Sequence, residues 1–147
     1  MNWGNLLFSF VGRINRGKYW LVMLIWIVAS VAVVGATFGI AMTSDGAMIG
    51  VIASLLVLVP SAVSAIAIGV KRLHDRNKSG WWILLLYMSP GVIDAIGQEV
   101  GSGGAIFSLA SFAISVWAIV ELGCLRGTEG PNTYGPDPLQ ADAAQPA

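Results

Sequence analysis

The most concentrated chemistry in the sequence lies in a short polar segment between long apolar stretches. It reads Lys71-Arg72-Leu73-His74-Asp75-Arg76-Asn77-Lys78-Ser79-Gly80-Trp81-Trp82 and contains the one histidine of the chain. His74 beside Asp75 would suit an acid/base pair or a metal ligand set. A metal site, however, needs three or four ligands, and a catalytic base needs a nucleophile to activate. No second histidine exists and Cys124 has no spaced partner, so we predict no catalytic residue, no metal and no cofactor.

The same segment also suits a structural role at a membrane surface. Lys and Arg beside membrane spans anchor topology and contact lipid headgroups, and amphipathic indole rings prefer the headgroup level. We therefore interpret the segment as a topology anchor with local ion pairs. Trp81 and Trp82, together with Trp20 near the start of the first apolar stretch, are the predicted interfacial anchors.

The eight cations of the chain occur in three clusters separated by stretches without any. The clusters are Arg13, Arg16 and Lys18, then Lys71, Arg72, Arg76 and Lys78, and finally Arg126 alone. With 56% hydrophobic and only 11% charged residues, the composition is far from the roughly 25% charged residues of soluble domains. This composition indicates an integral membrane protein and excludes a separate soluble catalytic domain.

Four apolar segments are candidates for membrane spans, at about residues 19–42, 47–70, 79–98 and 105–125. Crossing a bilayer core takes about 20 apolar residues in a helix. The first two segments meet this easily and predict a hairpin joined by Thr43, Ser44, Asp45 and Gly46. The third is marginal because it contains Pro90, Gly91 and Asp94, and a kinked or re-entrant element fits it nearly as well. The fourth spans if Glu121 lies at an interface or faces protein.

Four spans would put every cation on one side of the membrane, as the retention of Lys and Arg in the cytoplasm requires. We therefore predict an all-α, four-transmembrane-helix bundle over residues 1–139 with both termini cytoplasmic, in the bacterial inner membrane. The apolar stretch Trp3 to Val11 precedes the cations, which is unlike a cleaved signal. It favours a short interfacial helix.

Small residues predict where the helices approach one another. Gly35 and Gly39 form a G-x-x-x-G step in the first span, and close approach of such residues stabilises helix pairs in lipid. We predict packing within the chain. Homodimerisation or a polar permeation path remain the alternatives for these small-residue faces.

Three motifs together resemble the domain-of-unknown-function 805 family of small bacterial inner-membrane proteins. They are Phe10-Val11-Gly12-Arg13-Ile14-Asn15-Arg16 with Tyr19-Trp20, Lys71-Arg72-Leu73-His74-Asp75 with Ser79-Gly80-Trp81-Trp82, and the tail from Gly127 through Gly130-Pro131-Asn132-Thr133-Tyr134-Gly135-Pro136-Asp137-Pro138. The resemblance extends from about residue 5 to 139. It implies a polytopic inner-membrane protein without an established biochemical role, so it assigns no catalytic residues.

On the predicted topology, the three motif blocks emerge on the same face and can meet. Gly and Pro in the tail end the fourth helix, and we predict that the tail folds back. In that arrangement, arginines would pair with carboxylates: Arg13, Arg16, Arg72 and Arg76 with Asp75, Glu129 and Asp137. Residues 140–147, being small and polar, are predicted to be disordered.

Three functional classes follow from these features. The favoured class is a non-enzymatic module that binds anionic lipid headgroups or an unknown membrane or cytoplasmic protein partner through its basic cytoplasmic face. The alternative is a subunit of a small oligomeric transporter or channel, which would involve Asp94 or Glu121. A lipid-headgroup enzyme using His74 and Asp75 has the least support, and we expect no nucleic acid partner.

Overall fold

The computed structural model describes residues 2–41, 46–100 and 104–143, and over these ranges the regular structure is helical apart from one isolated bridge. The helices are α1 (Trp3–Phe8), α2 (Arg16–Ala41), α3 (Gly46–Asp75), α4 (Trp82–Glu99), α5 (Gly104–Ile119), the π-helical turn Val120–Cys124, and α6 (Pro138–Ala143). The all-helical prediction is confirmed, and each predicted span corresponds to one long helix.

The chain forms two compact units. One contains the residues up to Ser9 together with Trp20–Ile68, and so holds α1, most of α2 and most of α3. The other contains Phe10–Tyr19 and the chain from Gly69 onward. All three predicted motif blocks lie mainly in this second unit.

Three helical stretches are long and apolar enough to cross a membrane: Arg16–Gly39, Met48–Asp75 and Gly104–Cys124. The sequence predicted four, and α4 is the one that does not qualify. It has only 18 residues, among them Ser89, Pro90, Asp94 and Glu99, which lower its apolar character. Nevertheless, α4 continues through Pro90 as one helix.

The helix α3 extends five residues beyond the predicted end of its span, so Lys71–Asp75 is helical and not part of a loop. It ends in a Schellman motif, in which Lys78 N–H donates to Leu73 O at 2.8 Å and Asn77 N–H donates to His74 O at 3.0 Å. Asn77 occupies the left-handed position with φ 56°. Asparagine is among the residues that tolerate this conformation, which explains why the helix stops there.

The two ends of the chain differ in how the predictions compare with the structure. The predicted amino-terminal helix is present as α1, where the Asn2 side chain accepts a hydrogen bond from Asn5 N–H. The structure departs from the predicted disorder after residue 139, because α6 continues to Ala143. Residues 144–147, the connection 101–103 and most of the predicted hairpin turn lie outside the described residues.

The glycines of the first span do not make the predicted contacts. Among the described residues, nothing lies within 4 Å of the position that a Cβ would take at Gly35 or at Gly39. The close approach of α3 to α2 occurs instead at Gly50, where a Cβ would stand 3.3 Å from Thr37 Cβ. Sequence analysis did not single out Gly50, although Gly46 and Ser54 lie four positions to either side of it.

The helices α4 and α5 pack against each other along their lengths. Near one end, the rings of Trp82 and Trp117 meet edge to face with centroids 6.3 Å apart. Near the other end, a Cβ at Gly97 would stand 2.7 Å from Phe107 Cβ, so only glycine permits that approach. Between them, Ser111 Oγ lies 2.9 Å from Asp94 Oδ2. An antiparallel pair therefore positions the chain that follows α5.

Candidate functional site

The three motif blocks come together in one polar cluster, which we call the polar head: residues 10–19, 71–82 and 121–137. The prediction that the tail folds back against the other two blocks agrees with these contacts. Arg13 makes the widest set of bonds. Its Nη1 donates to Gly130 O at 2.7 Å and to Gly135 O at 3.2 Å, and its Nη2 donates to Thr128 O at 2.6 Å. Arg13 therefore holds the tail mainly through backbone carbonyls.

Arg72 is the most deeply placed cation of the head, with only 1% of its surface exposed. Its Nε donates to Leu122 O and its Nη2 to Leu125 O, both at 2.8 Å, while Nη1 donates to Ile14 O at 3.2 Å. Nη1 also pairs with Asp75. All three nitrogens are occupied, which is what a buried guanidinium requires.

Asp75 is shared by two arginines. Its Oδ2 bonds Arg72, and its Oδ1 accepts from Arg13 Nε at 3.1 Å and lies 3.0 Å from Arg13 Nη2. The backbone carbonyl of the same residue accepts from Thr128 N–H at 2.8 Å and from Thr128 Oγ1 at 2.9 Å. One carboxylate between two guanidinium groups leaves a net positive centre, which the surrounding carbonyl dipoles offset.

Arginines also satisfy the carbonyl groups at the end of α5. The last carbonyls of a helix have no partner within the helix and carry the negative end of its dipole. The π-helical turn, closed by Leu125 N–H to Val120 O at 3.0 Å, presents these carbonyls to the head. Arg16 donates to Cys124 O at 3.2 Å and Arg76 donates to Arg126 O at 3.0 Å, in addition to the two bonds from Arg72.

Glu121 faces protein, as its position in an otherwise apolar span requires. Its side chain is 3% exposed, and its Oε1 lies 2.7 Å from both Arg76 Nε and Lys78 Nζ. Arg76 was predicted to face Asp75, Glu129 and Asp137, but among the described residues its carboxylate partner is Glu121. The actual partner belongs to the helix end, so Arg76 links the end of α3 to the end of α5.

Asp137 also differs from its prediction, because its hydrogen bonds come from the backbone. Its Oδ2 accepts from Gly130 N–H and its Oδ1 from Leu139 N–H, both at 3.0 Å. The second bond makes Asp137 the cap of α6, with Pro138 at the first helical position. The N–H groups of Leu139 and Gly130 hold the pKa of Asp137 below its ordinary value of 3.8. Glu129 pairs with Arg126 at the surface, at 2.9 Å.

His74 takes part in holding the tail. Its ring stacks on Tyr134 with centroids 3.9 Å apart and planes inclined by 5°, and its Nδ1 lies 3.3 Å from Gly12 O. The Asn132 side chain donates to His74 O at 2.9 Å. The carboxylate of Asp75 is directed to the arginines instead, so the two neighbours do not share a substrate position. Across the described ranges, no three His, Cys, Asp or Glu side chains are grouped as a metal site would need.

The tail motif owes its shape to two glycines and one asparagine. Gly130 and Gly135 have φ of 73° and 136°, values that favour glycine. Asn132 and Gly135 exchange backbone hydrogen bonds at 3.0 and 3.2 Å, and Asn132 Oδ1 accepts from Tyr134 N–H at 2.9 Å. Pro131, which lacks an N–H, precedes this turn. The turn brings the Gly130 and Gly135 carbonyls to Arg13.

Sequence reasoning did not single out Gly127, Thr128 or Asn77 for their roles. A Cβ on Gly127 would overlap the carboxylate of Asp75, so the tail approaches α3 only because this residue is glycine. Thr128 bonds the end of α3 twice, and Asn77 ends that helix. The signal for Asn77 was available, since Asn after a helix often takes the left-handed position. The other two contacts join residues about 50 positions apart, which no local pattern indicates.

A cleft of about 500 Å³ opens beside the arginines of the head. Its wall includes the start of α2 at Asn15, Arg16 and Gly17 and the tail at Arg126, Glu129 and Leu139. Arg16 and Arg126 are exposed there, with 67% of the Arg126 side chain accessible. The predicted anchors Trp81 and Trp82 are also exposed, and so is Trp20 in the other unit.

Comparison with known proteins identifies similar proteins of Escherichia coli K12. The uncharacterized protein YiiR is 30% identical over 143 residues, covering 89% of this chain and 86% of that protein. The inner membrane protein YhaI is 30% identical over 130 residues, covering 88% and 86%, and the inner membrane protein YhaH is 28% identical over 132 residues, covering 88% and 87%. No solved structure matches the chain.

These relatives and the three membrane-capable helices support a transmembrane protein of the inner membrane. The family described as protein of unknown function (DUF805) matches residues 7–136, the region that contains the first two motif blocks, the third as far as Pro136, and the whole polar head except Asp137. The chain therefore belongs to the DUF805 family.

Proposed function

We propose that the chain is a non-enzymatic module with four membrane spans and both termini in the cytoplasm, which binds anionic lipid headgroups in the cleft of its polar head. The observation that carries the proposal is the division of the cations into two groups. Arg13 and Arg72 are occupied by carbonyls and by Asp75. Arg16 and Arg126 also line the cleft but are exposed, although Arg16 donates to Cys124 O and Arg126 pairs with Glu129.

The packing of α4 supports four spans. The helix α5 belongs to a candidate span, and α4 lies along it from the Trp82–Trp117 contact to the Gly97–Phe107 contact. A helix of 18 residues is about 27 Å long, which is close to the roughly 30 Å of a bilayer core. Its polar residues are tolerated because Asp94 bonds Ser111 and Ser89 bonds the backbone of its own helix.

The placement of the head supports the orientation. The helix α2 begins in it, α3 ends in it, α4 begins beside it, and the turn after α5 ends in it. All eight cations lie in these segments. Since Lys and Arg near membrane spans are retained in the cytoplasm, the head belongs on that side, and both termini belong with it.

The chemistry of the cleft suits a phosphate-bearing headgroup at the membrane interface. Arg16 starts α2, three residues before Tyr19, so the cleft lies at the depth where headgroups meet the first span. Guanidinium groups bind phosphate oxygens in a planar, two-pronged way. The sequence suggested that the whole basic segment around Arg72 and Arg76 contacts headgroups. Arg72 is buried and Arg76 is paired with Glu121, so neither is proposed as a headgroup contact.

A transporter or channel subunit is the second candidate, and Asp94 favours it. An ionisable side chain within the membrane often marks a path for ions or protons. Glu121 does not add to this argument, because it is held by Arg76 and Lys78. An enzyme acting through His74 and Asp75 has no support in their contacts, which hold the tail and the arginines.

Native mass spectrometry of the full chain in mild detergent, with phosphatidylglycerol or phosphatidylcholine added, tests the lipid proposal. We expect preferential binding of the anionic lipid. Arg16→Gln or Arg126→Gln should each weaken that binding about fivefold, the equivalent of about 1 kcal/mol per cation. Lys78→Gln is the matched control, since it removes a partly exposed cation of the head that does not line the cleft.

An unchanged preference in both arginine variants, or an equal loss in the Lys78 control, would show that general charge and not the cleft attracts the lipid. A second outcome would also contradict the lipid proposal. If a protein co-purifies with the wild-type chain and is lost in Arg126→Gln, and if the two lipids bind equally well, the cleft binds a protein partner and not a lipid.

A further inference from the structure

Asp94 lies opposite Ser111 at the contact between α4 and α5. Ser111 Oγ is 2.9 Å from Asp94 Oδ2 and 3.0 Å from Pro90 O. The serine side of this contact is buried, with Ser111 4% exposed. The three groups thus form one continuous chain of oxygen atoms, from a carboxyl through a hydroxyl to a backbone carbonyl.

On the four-span arrangement proposed above, this chain of oxygens lies inside the membrane. The candidate span containing α5 runs from Gly104 to Cys124, and Ser111 is seven residues from its first end and thirteen from its last. At 1.5 Å per residue, the hydroxyl is about 10 Å from one end and about 20 Å from the other. Asp94, within hydrogen-bond distance of it, shares that depth.

If Asp94 is ionised, the site has only one hydrogen atom, that of the Ser111 hydroxyl, for two hydrogen-bond contacts. A serine hydroxyl has one hydrogen, whereas an ionised carboxylate and a backbone carbonyl can only accept. Ser111 is nevertheless at bonding distance from both. A proton on Asp94 completes the set: the carboxyl donates to Ser111 Oγ, and Ser111 donates to Pro90 O.

The charges along the two helices favour the same arrangement. Between Gly104 and Ile119 the sequence of α5 contains no ionisable residue. Along α4, the ionisable residues are Tyr87, seven positions before Asp94, and Glu99, five positions after it. Neither helix offers a cation to Asp94. A carboxylate with no cation is costly at this depth, whereas a neutral carboxyl with a hydrogen-bond partner is tolerated.

We propose that Asp94, Ser111 and the Pro90 carbonyl form a proton-binding site within the membrane. When the proton is bound, the hydroxyl of Ser111 is directed to Pro90 O. When the proton leaves, that hydroxyl turns to donate to Asp94 Oδ2, and its bond to Pro90 O is lost. Proton release therefore changes how α5 is attached to α4. The site rests on the four-span part of the proposed function, because α4 must lie in the membrane, but it is independent of lipid binding, which concerns the opposite end of these helices.

Carbodiimide labelling of the wild-type chain in membranes tests the site without any substitution. A lipid-soluble carbodiimide reacts with protonated carboxyls in apolar surroundings, and a water-soluble one reacts with exposed carboxyls. At neutral pH we expect the lipid-soluble reagent to modify Asp94 and not Glu99, as located by peptide mass spectrometry. Glu99 is the internal control, because it is exposed at the end of the same helix. An unmodified Asp94 would overturn the proposal.

Two substitutions separate the proton site from ordinary helix packing. Ser111→Ala removes the acceptor and should speed the labelling of Asp94, whereas Ser115→Ala, one turn further along α5, should leave it unchanged. Ser115 is a matched control because its hydroxyl donates to the Ser111 backbone carbonyl, within its own helix, at 2.9 Å. Asp94→Asn, whose amide can replace the donor, should keep the melting temperature. An equal effect of the two serine variants, or a clear loss of stability in Asp94→Asn, would contradict the proposal.

Discussion

In the polar head several charged side chains are buried, whereas along α2 many large apolar side chains are exposed. Arg72 is 1% accessible, while Val31 and Phe38 are 67% and 69% accessible. A soluble protein would show the reverse. The difference indicates that lipid surrounds the apolar surface of α2, and that the specific, directional bonds of the chain are concentrated where the helices end in the head.

The comparison predicts its largest effect at Arg72. Replacing this residue by Met leaves Asp75 short of one partner and removes the donors to Leu122 O and Leu125 O. Breaking a buried pair of this kind costs about 3–5 kcal/mol, so we expect loss of the folded protein, measured as thermal unfolding in detergent and as abundance in the membrane.

Arg126→Gln is the control for Arg72→Met, because its exposed pair with Glu129 should contribute about 0–1 kcal/mol. Similar losses of stability in the two variants would show that the head tolerates the removal of a buried cation as readily as that of a surface one.

Glycine substitutions should act with opposite signs in the two regions. Gly127→Ala places a methyl group on the carboxylate of Asp75 and should destabilise the fold by about 1–3 kcal/mol, as overpacking does. Gly35→Ala adds a methyl group in open space within a helix and should stabilise by about 0.5–1 kcal/mol. Unfolding of both variants in the same detergent measures the contrast. A destabilised Gly35→Ala would mean that the glycine step of α2 does pack against something.

Asp137 should give the smallest effect, and one that depends on pH. Because the bound carboxylate has a pKa below its ordinary value of 3.8, its contribution is present above that value and is lost as the pH falls through the lower folded value. Asp137→Asn should therefore be less stable than wild type at neutral pH, with the difference shrinking below pH 3.8. Melting temperatures of the two proteins across the acid range measure this difference in stability. If the difference does not change with pH, it comes from altered packing or hydrogen bonding by the amide and not from the loss of the carboxylate charge.

The helices could be predicted from sequence because the apolar runs are long and uninterrupted. The predicted start of the fourth segment, residue 105, is one position from the observed Gly104, and the predicted ends of the first, residues 19 and 42, are three positions and one position from those of α2. The third segment was predicted to be marginal because it contains Pro90 and Asp94. It corresponds to α4, the long helix that is not apolar enough to be a candidate span.

Most partners of the arginines could not be predicted in the same way. Charge pairing gave Asp75 as a partner of Arg13 and Arg72, in agreement with their ion pairs. Backbone carbonyls exposed by the π-helical turn and by the glycines of the tail supply most of the other acceptors. Every residue has a carbonyl, so composition cannot indicate which ones are free. The extension of α3 through Asp75 was missed for a related reason, because its polar side chains are satisfied by residues about 50 positions away.

Hydrogen–deuterium exchange of the tail amides tests the central claim most directly, namely that arginine-to-carbonyl bonds hold the tail within the head. The account predicts protection at Thr128 and Gly130, whose N–H groups bond Asp75 O and Asp137 Oδ2. It also predicts that Arg13→Gln removes this protection while the amides of α2 keep theirs. Exchange of the wild-type tail as fast as that of an unstructured peptide would contradict the account.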